Sequence, residues 1–365
     1  MRWGGHPVRT PSLTSDRNVC KDLKAKRSPG GNPNAMKFGL VPCQEKARWS
    51  DTVEQSVKAE EWGYDSLWIS EHHSVEAGYY PSPWVALAGL AAHTQSVTLG
   101  TAVLLAPFYH PFHIAEDATM LDVISGGRCV VGLGVGYREE EFRLFNVPIK
   151  ERGRRTEESV RILRALWAND RVTYDGKYFS LQDARLLPKP VQRPRPPIWM
   201  GGWTEPACAR AARLADAWFP GPTADLEKVK AAYGFYKNAL GETDEEIRSR
   251  EFPIMRELFC CKDKAAEEEA LEHLRHMYME DYVRWGHQTT STGEKNVTFE
   301  GLMKDRFIVG PPEKCIEGLE TFIDALGVNH LIFRMHFHNI RQQAVLDSME
   351  LFAAECIPPL NQKYG

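Results

Sequence analysis

The chain has 365 residues, 43% of them hydrophobic and 26% charged, with a formal net charge of −4. This composition excludes a disordered chain, a collagen-like or coiled-coil rod, and a strongly basic nucleic-acid binder. No run of roughly 18 apolar residues is present to cross a membrane, and eight cysteines without a Cys-x-x-Cys pair match neither a secreted disulfide framework nor a zinc pattern. A reduced, cytoplasmic setting is expected.

Residues 1–35 carry seven Lys or Arg, two Asp, four Pro and four Gly. They read as a disordered basic extension, without the apolar stretch of a signal peptide. Periodic patterning starts at Met36 and predicts one domain over 36–360. Strands are predicted at 38–41, 65–69, 97–105 and 128–133, separated by helices at 52–62, 83–93 and 112–124. A long helix follows at 151–167, then a small hairpin at 171–181 with its turn at Asp175-Gly176. The second half repeats the rhythm, with strands at 197–200, 217–219, 252–260 and 330–333. Helices are predicted at 205–214, 226–240, 264–285, 312–326 and 341–356. Residues 286–305 are polar and aperiodic, and are read as a mobile insertion.

Eight apolar runs alternating with helices fit a single TIM (β/α)8 barrel with insertions, whose strands are covered on both faces. An open doubly wound sheet is the rival, disfavoured by eight strands in one unbroken series. In a barrel, chemistry gathers at the C-terminal ends of the strands. Those ends carry Ser70-Glu71-His72-His73, the His110/His113 pair, Gly132-Leu133-Gly134-Val135-Gly136-Tyr137, Gly201-Gly202-Trp203-Thr204, and His336/His338.

A carboxylate beside two imidazoles can hold a catalytic base in one tautomer. The glycines at 132–136 resemble a dinucleotide fingerprint but follow the fourth strand, not the first. They fit close approach of a flat ligand to the backbone. Gly201-Gly202 before a helix start exposes amides suited to a phosphate, or simply makes a tight capped turn. Arg152, Arg154 and Arg155 open a helix against its dipole, which predicts pairing with carboxylates such as Glu116, Asp117 or Glu140, or with a ligand phosphate. No metal site is expected, because adjacent His72 and His73 point apart on an extended segment and His336 and His338 lack identifiable partners.

With these segments in place, the chain resembles the bacterial luciferase-like flavin-dependent monooxygenase family. The resemblance rests on Trp62-Gly63-Tyr64-Asp65 through His73, Leu99-Gly100-Thr101 through Pro107, and His110-Pro111 with Ala115-Glu116-Asp117. It continues through Leu121-Asp122, Ser125-Gly126-Gly127-Arg128, Gly132 through Phe142, Pro190-Val191-Gln192, Ile198 through Gly202, and Ala215-Asp216-Ala217-Trp218.

It implies reduced FMN bound at the barrel top, supplied by a separate NAD(P)H reductase, and use of molecular oxygen to oxidise a small organic substrate. A branch of the family instead transfers hydride with a deazaflavin coenzyme. The resemblance makes His72 and Glu71 the catalytic pair, with Glu71 near the ring. With the strand-end reading, it makes His72, Thr101, Gly134, Gly136, Tyr137, Gly201, Gly202 and Thr204 the cofactor-binding set. It also favours a homodimer formed near the early helices, with no nucleic-acid or membrane partner. Where luciferase has a reactive cysteine and a phosphate-binding arginine, this chain has Gly134 and Val135, so light emission with a long-chain aldehyde is not expected.

Overall fold

The computed structural model describes residues 36–365 apart from 46–47, 77, 284, 286–297 and 304. The basic extension at 1–35 and residues 286–297 of the expected insertion lie outside the described residues.

Twelve strands are described: β1 (Lys37–Val41), β2 (Ser66–Ile69), β3 (Thr98–Thr101), β4 (Leu104–Leu105), β5 (Cys129–Gly134), β6 (Val172–Asp175), β7 (Ser180–Ala184), β8 (Ile198–Met200), β9 (Ala217–Trp218), β10 (Pro253–Cys260), β11 (Phe307–Gly310) and β12 (His330–Arg334). Parallel pairing runs β9-β8-β5-β3-β2-β1-β12-β10-β11, with β4 also on β5; β6 and β7 form a separate antiparallel hairpin. Helices follow the sheet strands in turn, giving the α/β barrel of TIM type.

Four expectations are refined. The predicted strand at 97–105 is two strands, β3 and β4, which pair with successive stretches of β5. The Phe-Ile-Val-Gly run of β11 is an added strand on β10, overlooked beside a polar segment. Part of that segment, Phe299–Met303, is a short helix that buries Phe299 and Leu302. The long helix expected at 264–285 ends at His276, with one π-type turn beyond it over Met277–Tyr282.

Side chains alternate between two cores. Phe38, Leu40, Leu67, Ile69, Leu331 and Phe333 face the helical layer. Val41, Trp68, Val130, Trp199, Phe219, Met255 and Ile332 fill the barrel interior. Trp68 stacks on Trp199 with ring centroids 4.5 Å apart, and Phe219 packs on both. Burial of each indole contributes about 4–6 kcal/mol on an area basis. Glycine makes the room: a Cβ on Gly100 would lie 2.2 Å from the Trp68 ring. Below the rings, Ser66 Oγ meets His330 Nε2 at 2.7 Å, and His330 Nδ1 meets Glu251 at 2.8 Å.

Several of the signature residues are scaffold. Asp122 accepts from the Val191 and Gln192 backbone amides at 2.6 and 2.9 Å, tying one helix to the approach to β8. The Arg128 guanidinium donates to the carbonyls of Ala91, Thr94, Val97 and Ser125. Both polar groups are satisfied away from the barrel mouth, so these motifs record the fold and not the chemistry.

Candidate active site

β2 delivers Glu71, His72 and His73 to the barrel mouth, and the structure separates their roles. Glu71 is 2% exposed. Its Oε1 accepts from Tyr109 Oη at 2.5 Å and faces His73 Nε2 at 2.7 Å, while Oε2 accepts from the Leu105 amide at 2.5 Å. Glu71 therefore ties the segment after β2 to the segment after β4, and its hydrogen bonds go to His73 and not to His72. Burial, with the adjacent Glu71 carboxylate, pushes the Tyr109 phenol far above its ordinary range, which keeps it a donor.

His72 takes its carboxylate from elsewhere. Its Nδ1 lies 2.9 Å from Glu141 Oε1. Glu141 sits on the short helix Glu139–Leu144, one turn past the glycines that end β5. The same oxygen accepts from the His73 amide at 2.9 Å and from Arg138 at 3.2 Å. Burial raises a carboxyl, but the hydrogen bond from His72 leads the interactions that hold Glu141 below its ordinary value. It is a carboxylate at neutral pH.

Aromatic rings wall the imidazole. Tyr79 meets it edge-on at 4.7 Å, Tyr137 at 5.8 Å, and Trp285 lies at 5.3 Å. Arg138 covers the outer face of Trp285 at 4.6 Å. The Tyr79 hydroxyl accepts from Arg334 at 2.8 Å, and Arg334 pairs with Glu257 inside the mouth. His72 Nε2 has no partner among the described residues. An imidazole fixed at Nδ1 with a free Nε2, inside an apolar wall, can give or take a proton where water is scarce.

The remaining expected residues divide into two groups. Thr101 is fully buried, and its hydroxyl both donates to the Gly132 carbonyl at 2.7 Å and accepts from the Gly132 amide at 2.9 Å. Gly134 is packed so that a Cβ would lie 2.3 Å from Val103. These two shape the floor. Gly136, with φ +72°, turns the chain toward Tyr137.

Gly201 uses its amide to reach the Leu133 carbonyl at 3.2 Å. Gly202 adopts φ +155°, and a Cβ there would lie 2.6 Å from Ala207. Thr204 is exposed at the N-cap of helix Glu205–Leu214 and makes no capping hydrogen bond. The Thr204 carbonyl accepts from the Ala207 and Cys208 amides and Pro206 has no N–H, so that helix start offers an anion the Thr204 hydroxyl and the Glu205 amide.

The arginines at 152–155 have other partners than expected: Arg155 faces Glu151 at 3.8 Å, and Arg152 donates to the Ile149 carbonyl. Arg155 Nε and Ser159 Oγ are buried without a hydrogen-bond partner among the described residues, while Arg210 Nε lies 3.6 Å from the Glu157 carboxylate. Helix Glu205–Leu214 packs on the helix that bears Arg155 and Ser159. The buried donors of Arg155 and Ser159 on that neighbouring helix, together with the Thr204 hydroxyl, are groups that could serve an anion such as a cofactor phosphate. Sequence reasoning singled out Arg155 but not Ser159.

His336 and His338, set aside as ligands, each meet a carboxylate, Glu45 at 3.2 Å and Asp281 at 3.0 Å.

Comparison with known proteins places the chain in a family. The family model described as luciferase-like monooxygenase matches residues 29–330. An F420-dependent glucose-6-phosphate dehydrogenase of Microbacterium testaceum is 28% identical, over 90% of this chain and 99% of that protein. The 4-hydroxyprotoasukamycin monooxygenase of Streptomyces nodosus subsp. asukaensis is 26% identical, over 86% of this chain and 87% of that protein. Among solved structures, the oxygenating constituent of 3,6-diketocamphane monooxygenase from Pseudomonas putida, in complex with FMN, superposes with a TM-score of 0.73 at 22% identity, covering 89% and 98% of the two chains.

Proposed function

The chain belongs to the luciferase-like monooxygenase family, and from that premise we propose that it is a reduced-FMN-dependent monooxygenase of a small organic substrate. The coarser statement stands independently: it is an oxidoreductase of a flavin or deazaflavin type. The observation that carries an oxidoreductase site is the His72–Glu141 pair at 2.9 Å inside its aromatic wall, which would serve the proton step with either cofactor; the choice of FMN follows the resemblance and the 4-hydroxyprotoasukamycin monooxygenase relative.

The residues present fit an FMN. Gly201, Gly202, Thr204 and the unpartnered donors of Arg155 and Ser159 suit its phosphate, and the glycines ending β5 leave a flat floor for its ring. FMN, when bound and reduced, supplies the two electrons with which one oxygen atom enters the substrate and the other leaves as water. His72 Nε2 gives or takes the accompanying proton. Glu141 fixes which nitrogen does so and stabilises the charged imidazole. Tyr79, Tyr137 and Trp285 keep water from that nitrogen. Glu71 acts through His73, Tyr109 and the Leu105 amide to hold the loops in place. Reduced FMN comes from a separate NAD(P)H reductase, as the resemblance implies.

A second reading has specific support from the F420-dependent dehydrogenase that matches nearly end to end. There the cofactor is a deazaflavin, the substrate gives up hydride, and His72 takes the proton that leaves with it. Anaerobic titration with reduced FMN and with the deazaflavin coenzyme separates the two. Tight binding of reduced FMN with substrate-dependent oxygen uptake supports the first reading. Preference for the deazaflavin with anaerobic turnover supports the second and overturns the first.

The homodimer inferred from the resemblance gains support from the surface. Met120, Val123 and Ile124 are exposed at i, i+3 and i+4 on helix Pro111–Ser125, and Val85 is 72% exposed on helix Pro83–Ala91 packed beside it. We read this strip as the dimer face, since exposed apolar patches on proteins often serve contacts.

A further inference from the structure

The barrel interior changes character at one level. Met255 on β10 and Ile332 on β12 belong to its apolar filling. Two residues on, and so on the same face of each strand, Glu257 and Arg334 stand opposite one another in register. Glu257 is fully buried and Arg334 is 7% exposed. Arg334 Nη2 donates to Glu257 Oε1, and Nη1 donates to the Tyr79 hydroxyl at 2.8 Å. The Tyr79 ring meets His72 edge-on, with centroids 4.7 Å apart. A buried carboxylate is thus joined to the imidazole through Arg334 and Tyr79.

Stability does not account for the ion pair. Taking two ions out of water is costly, and apolar side chains of similar volume in their place are often neutral or stabilising. The level below is filled in that way. Nor does packing alone close around Tyr79. A small cavity bordered by Gly78, Tyr79, Met277, Arg334 and His338 lies against the ring, on a side that His72 does not line. Trp285 and His338 approach the ring at 6.1 and 6.5 Å between centroids. The loop has its own anchor one residue on, where the Tyr80 hydroxyl meets Thr52 Oγ1 at 2.6 Å. The backbone is therefore held independently of the Tyr79 side chain.

We propose that Glu257 and Arg334 are positioning residues, which tether the Tyr79 hydroxyl and through it the ring that shields His72 from water. Glu257 orients the guanidinium and compensates its charge. Arg334 turns its other amino group to Tyr79, and Tyr79 closes one side of the imidazole. None of the three gives or takes a proton. A shielded imidazole exchanges its proton with the reacting atoms and not with bulk water. The inference rests on His72 as the proton-handling group, with either cofactor.

The test measures the shield in the full-length, ligand-free chain, so the result does not depend on which cofactor binds. Diethyl pyrocarbonate acylates imidazole nitrogens that solvent reaches, and mass spectrometry gives the rate at His72 against the exposed His93 in the same sample. Tyr79→Phe keeps the ring and removes the tether. His72 should then be acylated about tenfold faster than in wild type, the scale of one hydrogen bond to a charged group, with His93 unchanged. Glu257→Met combined with Arg334→Met should leave the melting temperature unchanged or higher and speed acylation of His72 to the same degree. Adding Tyr79→Phe to that double variant should change nothing more, because the three side chains act as a unit. A wild-type rate in Tyr79→Phe overturns the proposal. So does a double variant that shields His72 as wild type does, or one that melts well below wild type, which would make the pair structural. Faster acylation with wild-type turnover would confirm the tether and overturn instead the reading of His72 as the proton-handling group.

Discussion

His72 is held by Glu141, a carboxylate 69 residues away, with Nδ1 and Oε1 2.9 Å apart, while the carboxylate next to it in sequence is turned to His73. The division gives each imidazole its own anion. It also separates a residue that touches the reacting site from residues that position it.

Replacing Glu141 with Gln keeps the shape and removes the charge. The single-turnover rate at which oxygen reoxidises bound reduced FMN should fall about tenfold to a hundredfold, part of the ~10²–10⁴ that a positioned acid–base group supplies. Affinity for reduced FMN should hardly change. His72→Ala should cost at least as much, and the double variant should be no slower than His72→Ala alone, since the two act as a unit. Additive losses in stopped-flow traces would mean that Glu141 acts independently of His72.

Two threonines placed in one cofactor-binding set by sequence should behave oppositely. Thr204 offers a hydroxyl with no capping bond, so Thr204→Ala should leave the melting temperature unchanged. It should weaken reduced FMN about tenfold, or ~1.4 kcal/mol. Thr101→Val leaves the buried Gly132 amide without its acceptor, so it should lose about 1–3 kcal/mol of stability. Urea denaturation beside a flavin titration resolves the pair.

The barrel was legible because its strands are short apolar runs and its helices repeat with the right period. The helix Glu205–Leu214 and the helix Leu226–Leu240 have the boundaries their sequences predict. β11 escaped because four apolar residues next to a polar stretch carry too little periodicity to separate from a loop. Glu141 was visible as part of a signature but not as a partner, because nothing local tells which of two carboxylates an imidazole will meet. Thr101 shows the converse. Its position at a strand end suggested a ligand, whereas the direction of its hydroxyl depends on the pairing with β5.

Acid stability should trace to the closed end of the barrel. Burial raises the Glu251 carboxyl, but the His330 hydrogen bond and the Lys37 ammonium outweigh it and bring it down to about 2 from 4.5. A depressed carboxyl contributes stability that is fully present above its unfolded value and is lost as pH falls through the folded one. Glu251→Gln should therefore lower the melting temperature at pH 7, with a cost of about 1–2 kcal/mol, since the carboxylate is half-buried and partly screened. The gap to wild type should narrow steadily between pH 4.5 and about 2. A gap that stays constant over that range in differential scanning calorimetry would remove the linkage.

The exposed strip on the early helices makes a prediction about assembly. Ile124 is 52% exposed and Met120 44% exposed, one helical turn apart, and neither contributes to the barrel core. Covering such a strip with a second copy removes apolar area from water at about 25 cal/mol per Å², while two buried carboxylates in each copy would oppose it strongly. The wild-type chain should therefore elute as a dimer by light scattering. Met120→Glu combined with Ile124→Glu should give a monomer with the same circular dichroism and the same affinity for reduced FMN. A dimer that survives both charges would place the interface elsewhere, and a wild-type monomer would leave the strip to another partner.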